Sequence, residues 1–249
     1  MKESILRVEQ LGKVYGKLEA LQNISLSLQE GEILGVVGEN GAGKSTLLSL
    51  LATVQKPSHG AIYFYGSDIA GQIGQYRENM GYVPQETSLF EELSGYENLC
   101  FFAKAQHVPK AEIPDRIAEI CRVTEFEESD LKRPVAKYSG GMKRKINIGA
   151  ALMHRPKLLL LDEPTANLDL SAEEQVILAL KRLAAGGTAI VCTGHHMEQM
   201  EQLCDKISFI KNGEQVLYGS MKELLFGESE KRTLRQLWKE TVGKVSDKE

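Results

Sequence analysis

Glu32-Ile33-Leu34-Gly35-Val36-Val37-Gly38-Glu39-Asn40-Gly41-Ala42-Gly43-Lys44-Ser45-Thr46 is the stretch that decides the fold. Its first part is a near-continuous apolar run, the pattern of a strand buried on both faces. Gly38 to Thr46 then follow G-x-x-x-x-G-K-[ST], and a helical pattern runs on to about residue 53. Strand, glycine loop and helix in that order predict a phosphate cradle. The glycines (Gly38, Gly41, Gly43) let the backbone curl, so that its N–H groups, with those of Asn40 and Thr46, converge on a dense anion. The helix start adds partial positive charge. Lys44 is placed to reach the β- and γ-phosphates of a nucleotide, and the Ser45 hydroxyl to ligate Mg²⁺. The loop by itself specifies only a nucleotide and fits small-molecule kinases and GTPases equally well.

Working outward, residues 4–14 and 24–28 show the short apolar alternation of strands. Residues 60–65, 80–83, 157–161 and 188–192 read as further strands. Between them, residues 88–153 turn helical, with helices over 99–106, 111–124 and 141–153. Ser94-Gly95-Tyr96-Glu97 has capping-box spacing, and so does Ser171-Ala172-Glu173-Glu174, which is expected to open a helix carrying Val176, Ile177, Leu180 and Leu183 on one face. Another helix is expected to end at Cys204. Asn212-Gly213 between two apolar runs is a strong hairpin signal. Strands alternating with helices imply an α/β fold with a mainly parallel sheet. The ATP-binding unit is expected over residues 1–225, followed by a charged, helical tail over 226–249.

Composition narrows the function. The 249 residues are 42% hydrophobic and 26% charged, enough for a sizeable core, with a net charge of −4. A weakly acidic chain is a poor nonspecific nucleic-acid binder, so no nucleic acid is expected as partner. No apolar run reaches the length that spans a bilayer, and the start MKESILRVEQ lacks an apolar signal core. A cytoplasmic chain is therefore expected, with any membrane role exercised through a partner. The scattered cysteines (Cys100, Cys121, Cys192, Cys204) read as buried, reduced thiols.

A second cluster completes the chemistry. Leu158-Leu159-Leu160-Leu161-Asp162-Glu163 puts two carboxylates at the C-terminal end of a buried strand, where open α/β sheets bind ligands. Asp162 is suited to hold Mg²⁺, and Glu163 to polarise the attacking water as general base. A divalent ion offsets the repulsion between two such carboxylates.

These residues also carry a family resemblance. Tyr138-Ser139-Gly140-Gly141-Met142-Lys143-Arg144 resembles the signature sequence of ABC-type ATPases, usually Leu-Ser-Gly-Gly-Gln. Leu161 to Asp169 resembles the family's Walker B segment and the D-loop after it. Val83-Pro84-Gln85 resembles its Q-loop, Gly194-His195 its switch-histidine segment, and Tyr15 stands where the family stacks an aromatic on adenine. The resemblance runs over about residues 5–225, in the family's order. It implies a P-loop core with an N-terminal antiparallel β subdomain and an inserted α-helical subdomain. It also implies a head-to-tail dimer, with a second copy or a paralogous ATPase subunit, in which each ATP lies between one copy's phosphate loop and the other's Ser139, Gly140 and Gly141. Gln85 would touch the metal or water, His195 would contact the γ-phosphate, and Asp169 would act across the seam. The implied partner is an integral membrane permease, which would hold the chain at the inner face of the cell membrane. The implied activity is ATP hydrolysis driving transport. Met142 departs from the usual glutamine and resembles the drug- and polysaccharide-export branch.

Competing readings are weaker. Ribosome-type relatives usually carry two such domains and DNA-repair types a long coiled coil; neither feature is present. A kinase has no use for Ser139-Gly140-Gly141. His195 is preferred to the adjacent His196 as the switch residue, and His59, His107 and His154 read as surface or helix-end residues. Lys143-Arg144-Lys145 reads as the solvated first turn of the signature helix. Phe90, Phe101 and Phe102 belong either to a docking surface or to the helical core.

Overall fold

The computed structural model describes residues 4–225 and 232–246. Ten strands form one sheet: β1 (Leu6–Tyr15), β2 (Leu18–Leu28), β3 (Ile33–Val37), β4 (His59–Phe64), β5 (Ser67–Asp68), β6 (Met80–Val83), β7 (Leu158–Leu161), β8 (Ala189–Gly194), β9 (Lys206–Lys211) and β10 (Glu214–Ser220). Their order is β5-β4-β1-β2-β10-β9-β3-β8-β7-β6. The segment β9-β3-β8-β7-β6 is parallel throughout. The opposite end, β5-β4-β1-β2, is antiparallel. The two meet where Glu214 of β10 pairs with Gln22 of β2. The architecture is the α/β fold expected.

Period-2 alternation sorts the buried strands between two cores. Ile33 and Val37, Leu159 and Leu161, and Ile190 and Cys192 face one core, under the helices. Leu34 and Val36, Leu158 and Leu160, and Ala189 and Val191 face the other. That second core is closed by α1 (Lys44–Leu51) and by the antiparallel strands.

Between β6 and β7 the chain runs through α3 (Gly95–Ala105), α4 (Ile113–Thr124) and α5 (Gly140–Leu152), after a short α2 (Ile73–Glu78) that precedes β6. The capping box at Ser94 is complete: Ser94 Oγ accepts from the Glu97 N–H at 3.2 Å, and Glu97 Oε2 accepts from the Ser94 N–H at 2.8 Å. The box expected at Ser171 is not the cap of α6 (Leu170–Ala185). Asp169 is, its Oδ1 accepting from the Ala172 N–H at 2.9 Å. An aspartate reaches the orphan N–H as well as serine does, and its charge suits the helix start. The hairpin between β9 and β10 turns on Asn212 (φ 48°) and Gly213 (φ 82°), both left-handed, as a two-residue hairpin loop demands.

After α7 (Met197–Leu203) and α8 (Met221–Leu225) comes α9 (Leu234–Ser246). The charged tail expected over 226–249 lies partly outside the described residues. Within them α9 is anchored: Leu234 and Leu237 are buried in the helical-side core, and Trp238 meets Phe209 edge-on. The cysteines are free thiols; Cys121, Cys192 and Cys204 are buried, whereas Cys100 is partly exposed.

Leu160, on β7 between β8 and β6 of the parallel segment, is fully buried. Leu160→Ala is expected to lower stability by about 2–5 kcal/mol. Urea denaturation checks this: the midpoint falls while the slope holds, because the same surface is exposed on unfolding.

Candidate functional site

The ends of the parallel strands bring the functional side chains together. The phosphate loop leaves β3 and closes into α1 through Gly43, at φ 108°. A Cβ there would stand 2.8 Å from the carbonyl of Ala20, and one on Gly38 would stand 2.4 Å from the carbonyl of Ile210. Only glycine fits either place. Gly43 leaves α1 without a side-chain cap or an acidic first-turn residue, so its leading N–H groups face an open cleft.

That cleft, of about 860 Å³, is lined by Tyr15, Asn40, Gly41, Gly43, Lys44, Ser45, Thr46, Gln85, Glu163 and both His195 and His196. Tyr15 is exposed at its rim. Lys44 is buried, its Nζ donating to the carbonyls of Gly38 at 2.8 Å and Glu39 at 3.0 Å. Burial pulls the pKa of this ammonium down, while the carboxylates of Glu163 and Asp162 favour its charge.

Asp162 is buried beneath the cleft and accepts from Thr193 Oγ1 at 2.5 Å. Thr193 Oγ1 in turn accepts from the Glu163 N–H at 2.9 Å. Glu163 takes φ 43°, a left-handed backbone that costs a non-glycine residue on the order of 1–3 kcal/mol. Its carbonyl accepts from Arg144 Nη2 at 2.6 Å and from the Ala166 N–H at 3.1 Å. Held at both ends, Glu163 turns its carboxylate to the cleft. Gln85 Nε2 lies 3.4 Å from Oε2, and His195 Nδ1 lies 3.2 Å from Oε1. The Glu163 side chain is 12% exposed and the His195 side chain 44%. Of the adjacent histidines it is therefore His195 that meets the carboxylate; the two rings lie 4.2 Å apart.

Ser139, Gly140 and Gly141 do not share this cleft. Ser139 caps α5, accepting from the Met142 N–H at 3.2 Å. With Gly141, Met142 and Asp169 it lines a separate hollow of about 390 Å³. A Cβ on Gly141 would stand 2.6 Å from the Cβ of Ala172, so the start of α5 packs closely on α6.

The reading of Lys143-Arg144-Lys145 as a solvated turn is corrected here. Arg144 and Lys145 are 6% and 7% exposed. Arg144 Nη1 also donates to the carbonyl of Pro84 at 3.2 Å, and Lys145 Nζ donates to the carbonyl of Glu125 at the left-handed C-cap of α4 at 3.0 Å. Each cation is tolerated in the interior because backbone carbonyls receive it. Arg144 and Thr193 are the residues that sequence reasoning missed. Neither stands in a local pattern that announces its partner. Among the aromatics, Phe90 and Phe101 are exposed and stack edge-on, whereas Phe102 is half-buried against the core. His154, just past α5, is half-buried between Gln106 and the Met80 carbonyl.

The donors suit a magnesium ion bound with its nucleotide. Among the described residues no group of three His, Cys, Asp or Glu side chains could form an all-protein cage. One hydroxyl (Ser45), one buried carboxylate (Asp162) and one amide (Gln85) are hard oxygen donors. That is a short set of the kind Mg²⁺ completes with phosphate oxygens and water.

Comparison with known proteins gives the same picture. The family model for the ABC transporter matches residues 21–166. The linearmycin resistance ATP-binding protein LnrL of Bacillus subtilis is 38% identical over 220 residues, 88% of this chain and 70% of that protein. The Nod factor export ATP-binding protein I of Ralstonia nicotianae is 35% identical over 224 residues, 90% of this chain and 70% of its own length. A solved ATP-binding subunit of an ABC transporter superposes with a TM-score of 0.83 at 29% identity, over 96% of this chain and all of that one. A dimeric ATP-binding cassette in a post-hydrolysis state, bound to ADP and Pi, superposes with a TM-score of 0.77 at 26% identity, over 87% of this chain and 98% of that one. This chain belongs to the ABC transporter family, as one of its ATP-binding, ATP-hydrolysing subunits.

Proposed function

We propose that the chain is the motor of an exporter, working as a head-to-tail pair on a separate integral-membrane subunit. The observation that carries the reading is the division of the phosphate-binding parts between two surfaces. Loop, Glu163 and His195 line one cleft with Asp162 buried beneath it, while the Ser139 end of α5 lines another hollow. A second copy, or a paralogous subunit, turned head to tail would present its Ser139 end to this copy's cleft.

In that pair, Tyr15 stacks on adenine, and the uncapped start of α1 receives the phosphates. Lys44 exchanges the Gly38 and Glu39 carbonyls for β- and γ-phosphate oxygens, so its buried charge is never left unpaired. Across the seam, the Ser139 hydroxyl donates to the γ-phosphate, helped by the N–H groups of Gly140 and Gly141. Glu163 accepts the proton of the attacking water. His195 and Gln85 hold the Glu163 carboxylate in line, and His195 donates to the γ-phosphate. Ser45, Gln85 and Asp162 would hold Mg²⁺, which supplies charge neutralisation along the β- and γ-phosphates. Without the γ-phosphate, Ser139 loses its acceptor and the pair loosens, so the nucleotide state becomes an opening and closing motion.

Export is supported by the relatives, two of them named for antibiotic resistance and one for Nod factor export, and by the Ser-Gly-Gly-Met signature. Another solved relative, cbiO1 from Clostridium perfringens, is part of the transporter complex cbiONQ, which supports a permease partner. Among the described residues no helix is long and apolar enough to cross a membrane, which fits attachment at the inner face of the membrane through that partner.

Glu163→Gln is expected to keep ATP binding and stall turnover, so that size-exclusion chromatography in Mg-ATP shows a trapped dimer. A variant that stays monomeric and hydrolyses normally refutes the general-base role. Lys44→Ala removes a charge-assisted contact worth about 1.5–3 kcal/mol, so ATP affinity is expected to drop by about ten- to a hundredfold or more. Calorimetric titration with ATP reads this directly, and an unchanged affinity contradicts it.

A further inference from the structure

Within one chain the Ser139 surface and Glu163 lie apart, yet one side chain is fastened to both elements. Arg144 stands five residues after Ser139, in the opening turns of α5. Its planar fork spends one nitrogen on the Pro84 carbonyl at 3.2 Å and another on the Glu163 carbonyl at 2.6 Å. Pro84 immediately precedes Gln85, which approaches the Glu163 carboxylate from the other side at 3.4 Å. One guanidinium thus pins the start of α5 to the backbone on both flanks of the general base. The site selects arginine for its geometry. Two carbonyls in a fixed relation match a rigid fork, and an ammonium is a single point of charge. Burial lowers the pKa of this guanidinium while Asp162 and Glu163 favour its charge, so the cation is held among groups of the catalytic cleft.

We propose that Arg144 is a positioning residue that couples the two ATP sites of the pair. A nucleotide gripped at Ser139-Gly140-Gly141 of one copy draws the start of α5, and Arg144 passes that displacement to Glu163 of the same copy, which serves the opposite site. The inference rests on the two-copy reading given above. The local physics favours transmission. The left-handed backbone of Glu163 is fixed by Thr193 at its N–H and by Arg144 and Ala166 at its carbonyl. Releasing the Arg144 contact leaves the carbonyl end of a conformation the residue does not favour by itself held by the Ala166 N–H alone, and the carboxylate loosens with it. Arg144 does not line the nucleotide cleft, so it affects the chemical step and leaves ground-state binding alone.

Steady-state ATPase assays of the full chain, run across ATP concentrations, test this with Arg144→Met, Arg144→Lys and, as control, Glu163→Gln. Arg144→Met is expected to lower kcat by about ten- to a hundredfold, the scale of a misplaced catalytic group. The KM for ATP should stay within about twofold, and the Hill coefficient should fall towards one. Arg144→Lys, keeping the charge and one contact, is expected to recover part of both. If Arg144→Met matches the parent in kcat and Hill coefficient while Glu163→Gln is inactive, the coupling inference falls and the general-base assignment stands. If Glu163→Gln turns over normally, the general base itself is wrong. A loss of kcat with an unchanged Hill coefficient in both Arg144 variants also overturns coupling, leaving only local support of Glu163. Should circular dichroism show Arg144→Met unfolded, Arg144→Lys decides alone: kcat and Hill coefficient both reduced at constant KM uphold the proposal, and any other result overturns it.

Discussion

The start of α1 is the feature on which the cleft depends. Helices α3, α5 and α6 begin under Ser94, Ser139 and Asp169, whose side chains satisfy an orphan N–H. Helix α1 begins at a glycine with no such cap and no acid in its first turn. Its leading N–H groups and its dipole are therefore left for an anion. Gly43 can hold φ 108° against the Ala20 carbonyl only because it lacks a side chain. The sheet order does the rest: β3 lies beside β8, which lies beside β7, so the phosphate loop, His195 and the carboxylate pair emerge together at one edge.

That edge concentrates charge, and its polar network keeps the charge ordered. Thr193 binds Asp162 through its proton and Glu163 through its lone pair, so one buried hydroxyl fixes both acids. Lys44 rests on two loop carbonyls close to those acids. In the proposed function its interaction with the triphosphate is consequently an exchange of partners in a site already desolvated, where contacts to charge are strongest. The Ser139 surface, a capped helix start with close-packed glycines, lines a hollow separate from the cleft of its own loop. On the proposed two-copy reading, a single chain carries two halves of different sites.

Much of this was legible in the sequence because the deciding signals are local. The phosphate loop needs closely spaced glycines, buried strands need unbroken apolar runs, and the β9–β10 turn needs two residues that accept positive φ, which Asn212 and Gly213 supply. What was not legible depends on partners distant in sequence. Arg144 meets carbonyls 60 and 19 residues away, so its place in a basic trio suggested solvent. Asp169 and Ser171 both stand at the start of α6 and both are residue types that can cap a helix. Only the path of the backbone chose the aspartate. The anchoring of α9 rests on Leu234, Leu237 and Trp238, a single i, i+3, i+4 set in a charged segment, whose partners such as Phe209 lie far off in sequence.

Mixing two inactive variants tests the shared site most directly. One variant lacks the phosphate-loop lysine (Lys44→Ala) but keeps its Ser139 surface; the other lacks that serine (Ser139→Arg) but keeps its loop. In a mixed pair, the intact loop of one faces the intact serine of the other, and one whole site is rebuilt. ATP turnover that is absent from each variant alone and returns on mixing is the predicted result. Mixtures as inactive as their components, with both chains folded, would contradict the account.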